Sequence, residues 1–272
     1  MKMLTHLVSF GTITLGASAL AMTAFAGTAH AKLHTETVEY KDGDVALEGY
    51  LAYDDAGPAK KPGILVIHDW LGVTGETKRR ADMLAGLGYV AFAPDIYGKG
   101  VRPADMKAAA AESGKWKGQR PQLRTRAKAG LDYLAAFKKV DANKLVALGY
   151  CFGGTTALEV ARSGAPVIAT VVFHGGLDTP SPADAKNIKG KVLALQGGDD
   201  PYVPPEQTAA FEKEMRDGNV DWQLIAYGGA VHAFTISNAG TDNSKGAAYN
   251  EKADKRSWQA MKDFFAELFP KK

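Results

Sequence analysis

The sequence has too few cysteines for a fold that is stabilised by disulfide bonds or by a structural metal ion. Its 272 residues include a single cysteine, Cys151, so an internal disulfide is impossible. The chain also has no second cysteine and no His-Glu-x-x-His motif that could hold a structural zinc ion. An exported protein with one unpaired thiol needs a reason to keep it, and catalysis supplies one.

The sequence also lacks an excess of charge of either sign. It carries 33 lysines and arginines against 30 aspartates and glutamates. This near balance gives no reason to expect nucleic acid or a membrane surface as a partner. Beyond residue 31 no apolar run is long enough to span a bilayer.

The first 31 residues have the pattern of an export signal. Lys2 supplies a positive charge, residues 7–26 are apolar or small without one charged side chain, and Ala29-His30-Ala31 offers a small-x-small cleavage site. The alternative is an uncleaved membrane anchor, because the apolar run is near spanning length. We expect a signal peptide over residues 1–31 and a periplasmic or secreted single domain over residues 32–272.

The segment Gly149-Tyr150-Cys151-Phe152-Gly153 is the most informative stretch of the chain. It follows the apolar run 145–148 and precedes the helix-forming run 155–162. A strand, a tight turn with glycine two residues on either side of a reactive side chain, and a helix form a nucleophile elbow. The free N–H groups of the helix N-terminus favour the thiolate of Cys151. The alternative is a small buried apolar residue, since free cysteine packs well in cores.

Strand-like and helix-like segments alternate along the rest of the chain. After a hairpin of 37–40 and 45–53 around Asp42-Gly43, we predict strands at 63–68, 89–94, 145–148, 167–173, 192–196 and 222–227. Helices are predicted at 78–87, 103–113, 123–137, 155–162, 204–216 and 246–269. This alternation indicates an α/β fold with a mostly parallel sheet and helices on both faces.

Residues that directly follow the strands are the candidates for chemistry, because ligands bind beyond the carboxyl ends of parallel strands. Cys151, Asp200 and His232 follow successive strands in the order nucleophile, acid, histidine. In this arrangement the imidazole takes the thiol proton and returns it to the leaving group, while the carboxylate orients the imidazole. The pattern predicts a nucleophilic triad.

Five segments of the sequence resemble the dienelactone hydrolase family. They are 149–154, 197–204, 231–234, 94–97 and 71–73. The resemblance implies an α/β-hydrolase fold, no cofactor, and hydrolysis of a small-molecule lactone or related ester through a thioester. It selects Asp200 over its neighbour Asp199 as the acid. We expect the enzyme to act as a monomer.

Two backbone N–H groups are candidates for an oxyanion hole. The elbow forces that of Phe152 into place, and the loop after the 63–68 strand supplies a second, with Trp70 at the matching position. The same loop carries Asp69 where well-known family members have a glutamate that tunes the thiol. We therefore predict that Asp69 tunes Cys151.

The sequence gives less information about the residues that contact the substrate than about the triad. Family members place an arginine shortly after the catalytic histidine, near the substrate carboxylate, whereas this chain has Thr235 and Ile236 there. His68, His174 and Phe234 are candidates to line the substrate pocket. For each histidine, a packed or hydrogen-bonded structural role is an equal alternative.

Two other functions remain open. One is a broad-specificity carboxylesterase or thioesterase that uses the same machinery. The other, from a different class, is a redox-sensing thiol at Cys151 on a fold without catalysis. An acid aligned behind a histidine argues against the sensor, because a sensor needs an activated thiol but no such acid.

The export signal predicts cleavage after Ala31. Mass spectrometry of the periplasmic or secreted fraction should give a chain that begins at or near Lys32, because signal peptidases cut after small-x-small motifs. A full-length chain recovered from the membrane would contradict the expectation and support the anchor.

Overall fold

The computed structural model describes residues 32–270, and the predicted signal peptide of residues 1–31 lies outside them. The described residues contain one eight-stranded sheet and the helices that cover it. The strands are β1 (Leu33–Asp42), β2 (Val45–Asp54), β3 (Lys61–Ile67), β4 (Val90–Ala93), β5 (Val140–Tyr150), β6 (Ala169–Phe173), β7 (Lys191–Gly197) and β8 (Trp222–Tyr227). The helices are α1 (Gly75–Gly86), α2 (Met106–Gly118), α3 (Arg120–Ala136), α4 (Phe152–Arg162), α5 (Pro205–Asp217) and α6 (Glu251–Leu268). None of these helices is long and apolar enough to cross a membrane.

The sheet is mostly parallel, as predicted. Its strand order is β1-β2-β4-β3-β5-β6-β7-β8, and only the pairs β1–β2 and β2–β4 are antiparallel. Asp42 pairs with Val45, so the hairpin turn is the two residues Gly43 and Asp44, with Gly43 at a φ of 57°. Glycine adopts this left-handed conformation without the steric cost that a side chain brings. The predicted hairpin is confirmed.

Helices cover both faces of the sheet, which explains the continuous apolar runs of the central strands. In β3, Leu65 and Ile67 pack in the cluster that includes Leu123 and Leu131 of α3. The alternate residues of β3 pack on the opposite face, in the cluster that includes Leu84 of α1 and Phe265 of α6. The architecture confirms the predicted α/β-hydrolase fold.

The last helix begins five residues later than the sequence predicts. Asn250 caps α6 by accepting a hydrogen bond from the N–H of Ala253, at 3.0 Å. The preceding segment is not helical because its backbone pairs with His232: the His232 N–H donates to the Gly246 carbonyl, and the Ala248 N–H donates to the His232 carbonyl. A contact with a distant loop therefore overrides local helix propensity here.

The connection from β6 to β7 contains a short 3₁₀ helix, Pro182–Asn187, that the sequence did not predict. The connection is held by Arg162, which is fully buried at the end of α4. Its guanidinium donates to the carbonyls of Leu177 and Asp178 and pairs with two buried carboxylates, Glu159 and Glu214. Charges buried this deeply require partners, so Arg162 and the two glutamates depend on one another.

Arg162→Met should destabilise the fold by about 3–5 kcal/mol, because it leaves Glu214 buried without its partner, whereas Glu159 keeps its ion pair with Arg124. The matched control is Lys213→Met, which breaks the exposed Lys213–Asp217 pair of α5 and should cost less than about 1 kcal/mol. Urea unfolding of both variants measures the difference. Equal midpoints for the two variants would show that the buried pairs contribute no more than a surface pair.

Candidate functional site

Cys151 occupies a strained turn between β5 and α4. Its backbone has φ of 54° and ψ of −117°, a conformation that residues with a side chain rarely adopt. The Cys151 N–H donates to the Phe173 carbonyl of β6 at 3.0 Å, and the Cys151 carbonyl accepts from the N–H of Gly154 at 3.0 Å. Strain of this kind persists only where the surrounding structure enforces it, and it clusters at functional sites.

Two glycines permit this turn, as the sequence predicts. A Cβ atom at Gly149 would lie 2.0 Å from the Gly153 carbonyl oxygen, inside the start of α4. A Cβ atom at Gly153 would lie 2.2 Å from the Ile67 carbonyl oxygen, at the end of β3. Both atoms would meet rigid backbone, so only glycine fits at either position.

The structure brings the three predicted triad residues together. The His232 Nε2 lies 3.1 Å from the Cys151 Sγ, and the His232 Nδ1 lies 2.8 Å from the Asp200 Oδ2. The second carboxylate oxygen of Asp200 accepts a hydrogen bond from the Tyr202 N–H at 2.8 Å. The Asp200 side chain is fully buried, whereas Cys151 is only partly buried. The thiol is therefore the accessible end of a continuous chain of hydrogen bonds.

The charge of His232 is stabilised by this chain. Burial opposes the charged imidazolium, but the adjacent Cys151 sulfur and the Asp200 carboxylate outweigh it and raise the pKa of His232 to about 10. A histidine of this kind holds a proton beside the sulfur at neutral pH. The arrangement places a proton-carrying imidazole directly against the only thiol of the chain.

Asp69 lies in the loop after β3, where the sequence predicts it. Its Oδ1 accepts the N–H of Leu71 at 2.8 Å, and its carboxyl group is almost fully buried. Burial raises the pKa of Asp69 to about 6, with Glu76 adding to the rise and the Leu71 N–H and His232 opposing it. Asp69 therefore changes charge close to neutral pH and within electrostatic reach of His232.

The two N–H groups predicted for the oxyanion hole have no hydrogen-bond acceptor among residues 32–270. Phe152 is the first residue of α4, and the first N–H groups of a helix have no intrahelical acceptor. The N–H of Trp70 is also free, whereas that of its neighbour Leu71 donates to Asp69. The Trp70 carbonyl accepts the hydroxyl of Tyr97 at 3.0 Å, which fixes the course of this loop.

His68 is fully buried and both of its ring nitrogens are in use. Nδ1 lies 2.6 Å from the Asp69 carbonyl oxygen, and Nε2 accepts the N–H of Ile96 at 3.2 Å. Burial lowers the pKa of His68 to about 4, so the ring is neutral. Of the two roles that the sequence left open, this geometry favours the structural one, which is to hold the loop of Asp69 and Trp70.

His174 and Phe234 are also fully buried. His174 bonds Thr235 through Nε2, and its ring meets those of His232 and Phe234 edge to face. Neither side chain reaches solvent in this conformation. The predicted substrate contacts of His174 and Phe234 therefore find no support in the geometry: His174 packs against the His232 ring, and Phe234 packs against His174.

Sequence reasoning missed Arg80 and offered Tyr202 only as one of several aromatic candidates for the pocket wall. Tyr202 is 59% exposed and its ring lies 5.2 Å from that of His232, edge to face. Its position two residues after Asp200 was the available signal. Arg80 of α1 is buried and donates to the Thr235 carbonyl at 2.6 Å. Nothing in the sequence of α1 distinguishes it from its exposed neighbour Arg79.

The described residues contain no group of three or more His, Cys, Asp or Glu side chains placed to hold a metal ion.

Comparison with known proteins agrees with this geometry. Residues 47–269 match the family model described as "Dienelactone hydrolase family". The solved structure m3DLH is 41% identical, with a TM-score of 0.84 over 87% of this chain and 99% of that one. A dienelactone hydrolase-like promiscuous phosphotriesterase from metagenomic libraries is 39% identical, with a TM-score of 0.82 and the same coverage. A Salmonella typhimurium protein, provisionally named carboxymethylenebutenolidase, is 27% identical over 83% of this chain and 84% of its own. The strained turn at Cys151 and the hydrogen-bonded His232 thus lie within the matched region, which covers most of the chain. This chain belongs to the dienelactone hydrolase family.

Proposed function

We propose that this protein hydrolyses a lactone or a related small ester through a thioester at Cys151. The observation that carries the proposal is the unbroken chain Cys151 Sγ, His232, Asp200, with distances of 3.1 and 2.8 Å. Membership of the dienelactone hydrolase family supports a hydrolase that acts on esters.

In the first half of the reaction, the Cys151 thiolate attacks the carbonyl carbon of the substrate. The carbonyl oxygen becomes an oxyanion, which the free N–H groups of Phe152 and Trp70 are available to stabilise. As the C–O bond of the ester breaks, His232 donates its proton to the leaving alkoxide. In a lactone, the alcohol released in this way stays attached to the acyl group.

In the second half, His232 is neutral and acts as the base. It removes a proton from water, the hydroxide adds to the thioester carbonyl, and the tetrahedral species expels the Cys151 thiolate. The acid product leaves, and the proton remains on His232. Asp200 keeps Nδ1 of His232 protonated throughout, so that Nε2 faces the sulfur and the substrate.

The same residues would serve a broad carboxylesterase or thioesterase, so the substrate range has to be measured. A screen across lactones, aryl esters and thioesters, with and without a thiol reagent, separates these possibilities. An aryl phosphotriester belongs in the screen, because a relative at 39% identity is described as a promiscuous phosphotriesterase. We further propose that the mature enzyme acts as a monomer in the periplasm or outside the cell.

A redox-sensing thiol is the alternative from another class. Because Cys151 is the only cysteine, a single reagent reports on one site. A hydrolase should give a burst of product from an activated ester followed by steady turnover, whereas a sensor should be labelled once without turnover.

Cys151→Ala should lower the turnover of a lactone or aryl ester by roughly 10³-fold or more, because no nucleophile remains. His232→Ala should be nearly as damaging and Asp200→Asn milder, since groups that act as one unit do not contribute additively. Ser163→Ala, at the far end of α4, is the matched control and should behave like the parent. Purified Cys151→Ala with parental turnover would eliminate the assignment.

Asp69→Asn should alter how the rate of Cys151 alkylation depends on pH. The variant keeps an oxygen that can accept the Leu71 N–H but loses the ionisation, which has a pKa raised to about 6. Below this value Asp69 is neutral, and above it the anion opposes the thiolate and stabilises the His232 imidazolium. The parent should show an inflection near pH 6 that the variant lacks. Superimposable profiles would mean that Asp69 does not tune the thiol.

A further inference from the structure

The loop that carries His232 is attached to the rest of the molecule at Thr235, three residues along the chain. The Thr235 carbonyl accepts a hydrogen bond from the buried Arg80 of α1 at 2.6 Å. The Thr235 hydroxyl lies 2.7 Å from Nε2 of His174, the residue that directly follows β6. Thr235 is fully buried. Its backbone and its side chain are therefore held by two different elements.

His174 contacts the ring of His232 as well as its loop. The two ring centroids are 5.2 Å apart at an angle of 70°, an edge-to-face arrangement. On its solvent side, His232 meets Tyr202 in the same manner. The imidazole of His232 is thus confined between a buried ring and an exposed ring, while its two nitrogens face Asp200 and Cys151.

The backbone at His174 is strained in the same way as the backbone of the nucleophile. Four non-glycine residues among 32–270 have positive φ, and three of them lie at this site: Cys151 at 54°, His174 at 39° and Ala233, next to His232, at 57°. Strained conformations of this kind persist where the surrounding contacts over-determine them. With this backbone conformation, the His174 side chain contacts both His232 and Thr235.

We propose that His174 is a positioning residue for His232: it bonds the Thr235 hydroxyl and buttresses the imidazole, and so holds Nε2 at the Cys151 sulfur. The proposal rests on the proposed role of His232 as the base. His174 itself touches neither the thiol nor the substrate. A displacement of about 1 Å at a catalytic group can cost about 100-fold in rate, so a residue of this kind has a measurable effect.

The charges around His174 are compatible with this role. The groups that face it are His232 from the loop after β8, Arg80 from α1 and Tyr150 from β5, with Asp254 of α6 paired to the guanidinium. Burial, the charge of His232 and the charge of Arg80 hold the pKa of His174 well below its usual range. His174 therefore remains neutral and does not repel the imidazolium beside it.

Thr235→Val tests the hydrogen bond with little change in shape, and the Arg80 bond to the backbone remains possible. We expect kcat to fall by roughly 10- to 100-fold with KM nearly unchanged, because the base is displaced and the substrate pocket is not. The pH of half-maximal Cys151 alkylation should rise by about one unit, since a displaced imidazolium stabilises the thiolate less. Thr235→Ser keeps the hydroxyl, so its kcat and its pH of half-maximal alkylation should lie close to those of the parent.

His174→Phe completes a double-mutant cycle. It keeps a ring against His232 but cannot bond Thr235, so it should resemble Thr235→Val, and the double variant should be no worse than either single one. Far-UV circular dichroism and melting temperature establish that each variant is folded. Ser163→Ala again serves as the control, since it removes a hydroxyl that bonds a backbone carbonyl far from His232.

Several outcomes would overturn the proposal. They are parental kcat and alkylation profiles in Thr235→Val, losses in the two single variants that add in the double variant, or no recovery with Thr235→Ser. If Thr235→Val or His174→Phe does not fold, the kcat and the alkylation profile of Thr235→Ser decide. The proposal requires both to match the parent, because this variant keeps the hydroxyl that bonds His174. The Cys151→Ala measurement separates the two proposals: if it abolishes turnover and Thr235→Val has no effect, only the role of His174 is lost.

Discussion

The close approach of the turn at Cys151 to β3 is the constraint on which the rest of the site depends. Gly153 packs directly on the Ile67 carbonyl, with no room for a Cβ atom. This contact fixes the start of α4 relative to the end of β3. The free N–H of Phe152 belongs to the start of α4, and that of Trp70 belongs to the loop that follows β3. One backbone contact thus relates the position of the Cys151 sulfur to the loop that carries Trp70.

His232 approaches the Cys151 sulfur from the loop after β8, and several elements hold this loop in place. The segment 246–248 pairs with the backbone of His232, and Arg80 holds the carbonyl of Thr235. Asp200 and the two flanking rings fix the imidazole itself. These partners come from α1, from the loops after β6 and β7 and from the approach to α6. Each of these elements contributes at least one contact that holds His232 beside the sulfur.

Much of this could be predicted from the sequence, because local patterns carry it. The glycines around Cys151, the alternation of strands and helices, and the strand-end positions of Asp200 and His232 all depend on neighbours in the chain. The late start of α6, the 3₁₀ helix held by Arg162, and the complete burial of His68, His174 and Phe234 depend instead on contacts between distant segments. An arginine such as Arg80 has the same appearance in the sequence whether it faces water or the core. The substrate side of the site was the least predictable part for this reason.

Tyr202 differs from the other aromatic residues around His232 because most of its ring lies in solvent. Its backbone N–H serves Asp200, and this bond does not depend on the side chain. The ring can therefore be exchanged for another without loss of the hydrogen bond that orients the carboxylate. At this position the identity of the ring and the orientation of the Asp200 carboxylate are therefore independent of each other. Tyr202 is thus a place where the surface beside His232 can be altered by substitution while the bond between Asp200 and His232 is kept.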